Sequence, residues 1–315
     1  MKNIMENELK KQTIAAQHTF YKYRGASACI SAAISFVTDN FWKNIRLSWP
    51  VSLLFSLAIT SITFIGSHWS YTWGKGGSIT KLTIAFATIF LSFTLFKSFV
   101  YVLVHMASIG RTAERLNIKQ VFGRRYIKYC CRVLWTEAIK YAWCIGILGL
   151  MMWTLKLNVL GVALNLPIKI GLCVVLTLVF IAISVPLVQA GPHAVLMGGQ
   201  PLRSYWIGIK RSWKAWGKVF STQLLSTLLA VILILLFMMP ALVFSNIEAN
   251  ASASRLSGDI VYLPDWFCTV EIIILLLSAI LSTLILWLDV LSGAYLFATQ
   301  KTDAEEEEAQ RLPLI

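Results

Sequence analysis

Two ionisable residues lie inside otherwise apolar runs, and they are where chemistry is first sought. Lys97 sits in Thr94-Leu95-Phe96-Lys97-Ser98, and Asp289 in Leu286-Trp287-Leu288-Asp289-Val290. A charge deep in a membrane span costs about 2.5–3.5 kcal/mol on insertion scales, so a partner at the same depth is physically attractive. Lys97 is nine residues from Met106, and Asp289 is nine from Ala298, the inner ends expected for their spans. At 1.5 Å per residue, both start roughly 13 Å from that boundary. A Lys97–Asp289 ion pair, or one hydrated cavity lined by both, is geometrically open. The competing arrangement has Lys97 snorkelling to the headgroups and Asp289 in water. Glu137 and Lys140, three apart at the start of a third span, pair along one helix face for a few tenths of a kcal/mol if exposed. Glu271 opens the sixth span from outside, where the helix dipole favours a carboxylate. His105 closes the second span in the interface.

Nothing else in the chain has the spacing of a reactive site. There is no Ser–His–Asp grouping, HExxH, GxGxxG or DxD, and Gly198-Gly199 is followed by no phosphate-binding lysine. The histidines (His18, His68, His105, His193) are scattered and pair with no cysteine at ligand spacing. The six cysteines form no CxxC and read as small hydrophobes. An intramembrane enzyme still needs a base, a nucleophile or a metal. The expectation is therefore a protein that is not an enzyme, with no cofactor and no metal.

The elements that position Lys97 and Asp289 follow from composition. The 315 residues are 57% hydrophobic and 14% charged, with a mean hydropathy of +0.69. Soluble domains run at about 45–50% and about 25%. Six stretches approach the roughly 20 apolar residues that cross a bilayer as a helix. They run Pro50 to Gly66, Leu82 to Met106, Tyr141 to Leu155, Ile168 to Ala190, Phe220 to Phe244 and Val270 to Ala298. The shorter first and third borrow a turn from the helix before them. Pro186 and Pro240 kink the fourth and fifth, and Gly191-Pro192 with Met197–Pro201 makes a turn. The run Ala26 to Val37 is broken by serines and leads to no cleavage site, so it is read as mature chain and not a cleaved signal. With the N terminus inside, 22 Lys and Arg residues fall on inner segments and 5 on outer ones, with Lys97 in a span. That asymmetry places both termini in the cytoplasm. Tryptophans mark both boundaries: Trp42, Trp49, Trp135, Trp206, Trp213 and Trp216 inside, Trp69, Trp73, Trp153 and Trp266 outside. The +13 net charge is read as facing anionic lipid, and no nucleic-acid partner is expected.

The inner segments look alike. Each carries an aromatic–aliphatic stripe, such as Trp206, Ile209, Trp213, Trp216 and Phe220, stepping by 3 and 4. Each also carries a basic face: Lys43 and Arg46; Arg125, Lys128 and Arg132; Arg211, Lys214 and Lys218. Aligning Lys43, Lys128 and Arg211 gives offsets of 85 and 83 residues. This predicts an all-α polytopic membrane helical bundle of three repeats (about 28–110, 111–195 and 196–300), each an amphipathic interfacial helix and two spans. The interfacial helices cover 28–47, 118–135 and 203–219 and lie in the membrane plane, with the eight basic residues on lipid headgroups. The alternative is that each is only an extension of its span. Residues 1–27 form a cytoplasmic N-terminal segment. The outer stretch Ser245 to Thr269 is read as a folded flap. Residues 301–315 form an acidic, disordered tail.

This arrangement resembles families of six-span bacterial inner-membrane proteins of uncharacterised activity. It is also similar to the membrane domain that accompanies some glycerophosphodiesterases. The resemblance covers about residues 28–300 and implies the bacterial inner membrane. It implies no activity, because the phosphodiesterase chemistry of that second group belongs to a soluble domain absent from this sequence. The expected function is a scaffold, accessory or lipid-interacting protein; the alternative is a small transporter of a lipid or small amphiphile.

Overall fold

The computed structural model describes residues 20–39, 41–69, 78–108, 122–156, 158–159, 162–163, 166–197, 200–258 and 262–311. The described helices are α1 (Ala26–Asp39), α2 (Phe41–Trp69), α3 (Ser78–Ser108), α4 (Arg124–Lys156), α5 (Leu166–Leu196), α6 (Pro201–Lys214), α7 (Trp216–Leu256) and α8 (Phe267–Arg311). A two-residue antiparallel pair, β1 (Asn158–Val159) with β2 (Val162–Ala163), links α4 to α5. The protein is an all-α bundle. Six helices are long and apolar enough to span a membrane: α2, α3, α4, α5, α7 and α8.

The spans are longer than their hydropathy cores. The apolar stretches run Phe41–Phe64 and Tyr126–Thr154 where Pro50 and Tyr141 were the expected starts. The first and third spans thus take in the turns before them. Consecutive spans pack side by side, and α8 closes the ring against α2. The even-numbered spans α3, α5 and α8 also touch one another, forming an inner triangle. The tightest core lies at one end of the bundle, in Phe96–Met106, in Val133, Thr136 and Glu137, and in Gln189–Val195 and Val290–Gln300. Toward the other end α4, α5 and α7 turn Leu148, Met152, Val175, Leu178, Leu228 and Leu235 outward. Lipid tails are as apolar as leucine, so this face carries little penalty in a bilayer.

Two of the three expected interfacial segments hold a separate helix, but only in part: 41–47, with Lys43 and Arg46, belongs to the span α2, and 216–219, with Lys218, to α7. α1 ends at Asp39 before α2 opens at Phe41, and α6 ends at Lys214 before α7 opens at Trp216. The openings of α2 and α7 are 175 residues apart, not the 168 of the Lys43-to-Arg211 alignment. The bend after α6 falls at Ala215, at φ −104° and ψ 30°. The second segment differs: α4 runs unbroken from Arg124, so 124–135 extends its span. Arg124 to Tyr141 holds no glycine or proline to stop it. Positions 118–121 lie outside the described residues.

Three other expectations are corrected. Gly191-Pro192 lies inside α5, which continues to Leu196. α7 continues to Leu256, which removes most of the flap. α8 continues to Arg311 through the acidic stretch, supported by Lys301–Glu305 at 3.7 Å and Lys218–Asp303 at 3.2 Å. Pro186 cannot donate to the Ala182 carbonyl one turn earlier. The Trp216 indole N–H donates to that carbonyl at 3.1 Å, which ties the start of α7 to α5.

Candidate functional site

Charged and amide side chains from five spans meet in the bundle centre. Lys97 on α3 donates to Glu137 Oε1 on α4 at 2.7 Å. Lys140, one turn along α4, donates to the same oxygen at 2.8 Å. Glu137 is only 5% exposed and each lysine 12%. Gly191 on α5 faces Lys140, and a Cβ there would lie in ordinary van der Waals contact with its Nζ, at 3.6 Å. Across the centre, Asp289 on α8 accepts from Ser226 Oγ at 3.0 Å and Gln223 Nε2 at 3.3 Å, both on α7. Gln189 on α5 donates to the Gly293 carbonyl at 3.0 Å.

The Lys97–Asp289 expectation therefore needs correcting in one respect. Lys97 makes its ion pair with Glu137, and Asp289 is held by neutral donors. Both nevertheless line one small cavity with Tyr101, Gln189, Pro192 and Gln223. At about 20 Å³ it has room for about one water. Sequence spacing placed Glu137 at an exposed helix start. The structure opens that span at Tyr126, fifteen residues before the expected Tyr141, so Glu137, eleven residues in, lies about 16 Å along it. One signal pointed there: Val133, Thr136, Glu137 and Lys140 share a helical face.

A second polar seam runs where α6 crosses α5. Ser204, Tyr205, Gly208 and Ser212 are the buried face of α6. Gly208 permits the contact, since a Cβ would fall 2.7 Å from His193 Cβ. His193 Nε2 lies 2.9 Å from the Gln300 side-chain amide on α8, within hydrogen-bond reach. The Tyr205 hydroxyl is buried and has no hydrogen-bond partner among the described residues. Burial, and secondarily the Glu137 carboxylate, push the Tyr205 phenol well above its ordinary range.

The eight basic candidates divide. Lys43 and Arg46, in the first turns of α2, are exposed, as are Lys128 and Lys214. Arg132 is buried and donates to the Val195 carbonyl at 3.3 Å. Arg211 is half-buried, with Nη1 enclosed in protein. Lys218 is on Asp303 at 3.2 Å and over the Tyr23 ring at 4.0 Å. The Arg125 side chain lies outside the described residues. Arg132 and Lys218 bind protein, and Arg211 is drawn inward, because their helices pack on α5 and α8. Arg203 and Lys210, also exposed on α6, take their place on the surface.

Among the described residues, no three His, Cys, Asp or Glu side chains come together to hold a metal ion. No protein-family model, curated protein or solved structure matches this chain.

Proposed function

We propose that this integral membrane protein is a non-enzymatic, lipid-organising scaffold or accessory subunit of a bacterial inner membrane, with both termini cytoplasmic. The observation that carries the reading is the three-sided build of α6. Its small and polar side (Ser204, Gly208, Ser212) packs on the bundle. Trp206 and Trp213 are more than half exposed on a second side, beside Leu202. Arg203, Lys210 and Lys214 occupy a third. Tryptophan and lysine together on an outward face suit the headgroup layer, not the aqueous phase. The charge cluster supports the same reading: its lysines and carboxylates balance, and the cavity beside them holds only about one water. A threefold build is consistent with the packing, since α6 lies on the span before it, α5, and α1 lies on α8, the span that precedes it around the ring.

The test is phospholipid retention. The protein is purified in mild detergent from membranes containing phosphatidylglycerol and phosphatidylcholine, and bound lipid is measured by mass spectrometry. Replacing Arg203, Lys210 and Lys214 by Gln should cut phosphatidylglycerol retention, at about 1 kcal/mol per charge. Unchanged retention overturns the reading. A transporter of a lipid or small amphiphile is the second reading, favoured by the meeting of Lys97, Glu137 and Asp289 in mid-bundle. Flux of a fluorescent phospholipid across proteoliposomes that is abolished by E137Q would establish it.

A further inference from the structure

Four spans wall the small cavity at the bundle centre. Lys97 and Tyr101 stand one turn apart on α3, and Asp289 and Gly293 one turn apart on α8. Gln189 comes from α5 and Gln223 from α7.

α5 brings two unfinished acceptors to this wall. Gln189 is fully buried, and its Nε2 donates to the Gly293 carbonyl at 3.0 Å. Its Oε1 has no hydrogen-bond partner among the described residues. The second acceptor is a backbone carbonyl. Val188 and Pro192 also line the cavity and are one helical turn apart. Proline has no N–H, so the α-helical bond to the Val188 carbonyl is not made. Within a membrane span, a carbonyl freed in this way is satisfied by a neighbouring side chain or an ordered water.

The charges around the cavity are also divided. Lys97 and Lys140 share Glu137, which leaves one positive charge in excess on α3 and α4. Asp289 holds one negative charge on α8, and its Oδ1 takes only the neutral donors Ser226 and Gln223. Among the described residues no ion pair joins the two sides. Lys97 has three ammonium hydrogens, of which Glu137 engages one at 2.7 Å.

The volume of about 20 Å³ admits one heavy atom. A cation there is repelled by Lys97, and an anion by Asp289. The occupant that suits both ends is neutral and both donates and accepts, which describes water. We propose that the cavity binds a single water molecule that accepts from Lys97 and donates to Asp289 and to α5. This water joins Lys140, Glu137, Lys97 and Asp289 into one network through five spans, and it holds the α3–α4 side against the α7–α8 side. The inference goes beyond the lipid reading of α6 and does not depend on it.

The experiment is X-ray hydroxyl-radical footprinting of the full chain in lipid nanodiscs. Radicals formed from water, enclosed water included, oxidise the side chains beside them, and peptide mass spectrometry locates the products. Tyr101 and Trp287 are each 2% exposed. Trp287 is not part of the cavity wall and packs on Phe96 and Phe99, with ring centroids at 6.5 and 6.1 Å. Tyr101 should be oxidised well above Trp287, although indole is the more reactive ring. G293A places a methyl group in the wall, in ordinary contact at 3.8 Å from Gln189 Oε1 and Pro192 Cγ. It should bring Tyr101 down to the Trp287 level and leave the exposed Trp206 unchanged. An unoxidised Tyr101 in the unmodified protein means a dry cavity and overturns the proposal. Equal oxidation of Tyr101 and Trp287 means an open aqueous path; this also overturns it and favours the transport reading. Oxidation of Tyr101 that persists in folded G293A overturns it as well. The comparison of Tyr101 with Trp287 needs no substitution, so it decides the question even if G293A fails to fold.

Discussion

Replacing Glu137 by Gln should be the most damaging single change in the bundle centre. Both lysine contacts are made to one carboxylate oxygen, at 2.7 and 2.8 Å. With an effective dielectric constant of about 20, each contact is worth about 6 kcal/mol of attraction. Desolvation of the three ions and repulsion between the two ammonium groups return much of this. The net cost of losing the shared partner is about 3–5 kcal/mol, because two enclosed cations are left unpaired. Replacing Lys97 by Met is much milder, about 1 kcal/mol, since Glu137 keeps Lys140. The triple change K97M/E137Q/K140M should recover most of what E137Q alone loses, because nothing charged is then left without a partner. Stability is read by reversible unfolding in mixed micelles of mild detergent and dodecyl sulfate. An E137Q cost under about 1 kcal/mol, or a K97M cost larger than that of E137Q, refutes the account of Glu137 as the hub.

Three further outcomes follow from the packing. W216F should cost about 1–3 kcal/mol by leaving the Ala182 carbonyl unpaired, and should cost less in a P186A background, where the restored N–H takes that carbonyl; a double-mutant cycle in micelles measures the difference. G208A should destabilise by about 1–3 kcal/mol, because the added methyl meets His193 Cβ at 2.7 Å and Ala190 Cα at 3.0 Å; thermal unfolding reads it. Y205F should be neutral or slightly stabilising near pH 7, as the hydroxyl it removes has no partner among the described residues. With the native phenol raised above 10.0, the folded state holds its proton longer than the unfolded chain, so stability falls as pH rises past about 10. Y205F should flatten that fall; an unchanged alkaline profile contradicts the burial of Tyr205.

The bundle itself was legible because hydropathy is a local property. Any run of about 20 apolar residues must satisfy its backbone hydrogen bonds internally in lipid, so each of the six stretches had to be a helix. The basic asymmetry and the tryptophan belts are local in the same sense, and α6 was readable from its 3–4 stepping. Element ends were less legible. Glycine and proline suggested a stop at Gly191-Pro192, but α5 runs through both to Leu196, with residues 189–195 buried against the neighbouring helices.

The partner of Lys97 was a question only tertiary structure answered. Depth along a helix follows from counting residues, and that count put Asp289 level with Lys97. Which face meets which neighbour depends on the rotation and ring order of six helices, which no local pattern encodes. In the folded chain α4 turns Glu137 toward Lys97, and α7 supplies Ser226 and Gln223 to Asp289. The sequence determined that the two charges needed partners in hydrocarbon; the packing of α3 against α4, and of α8 against α7, decided which partners they received.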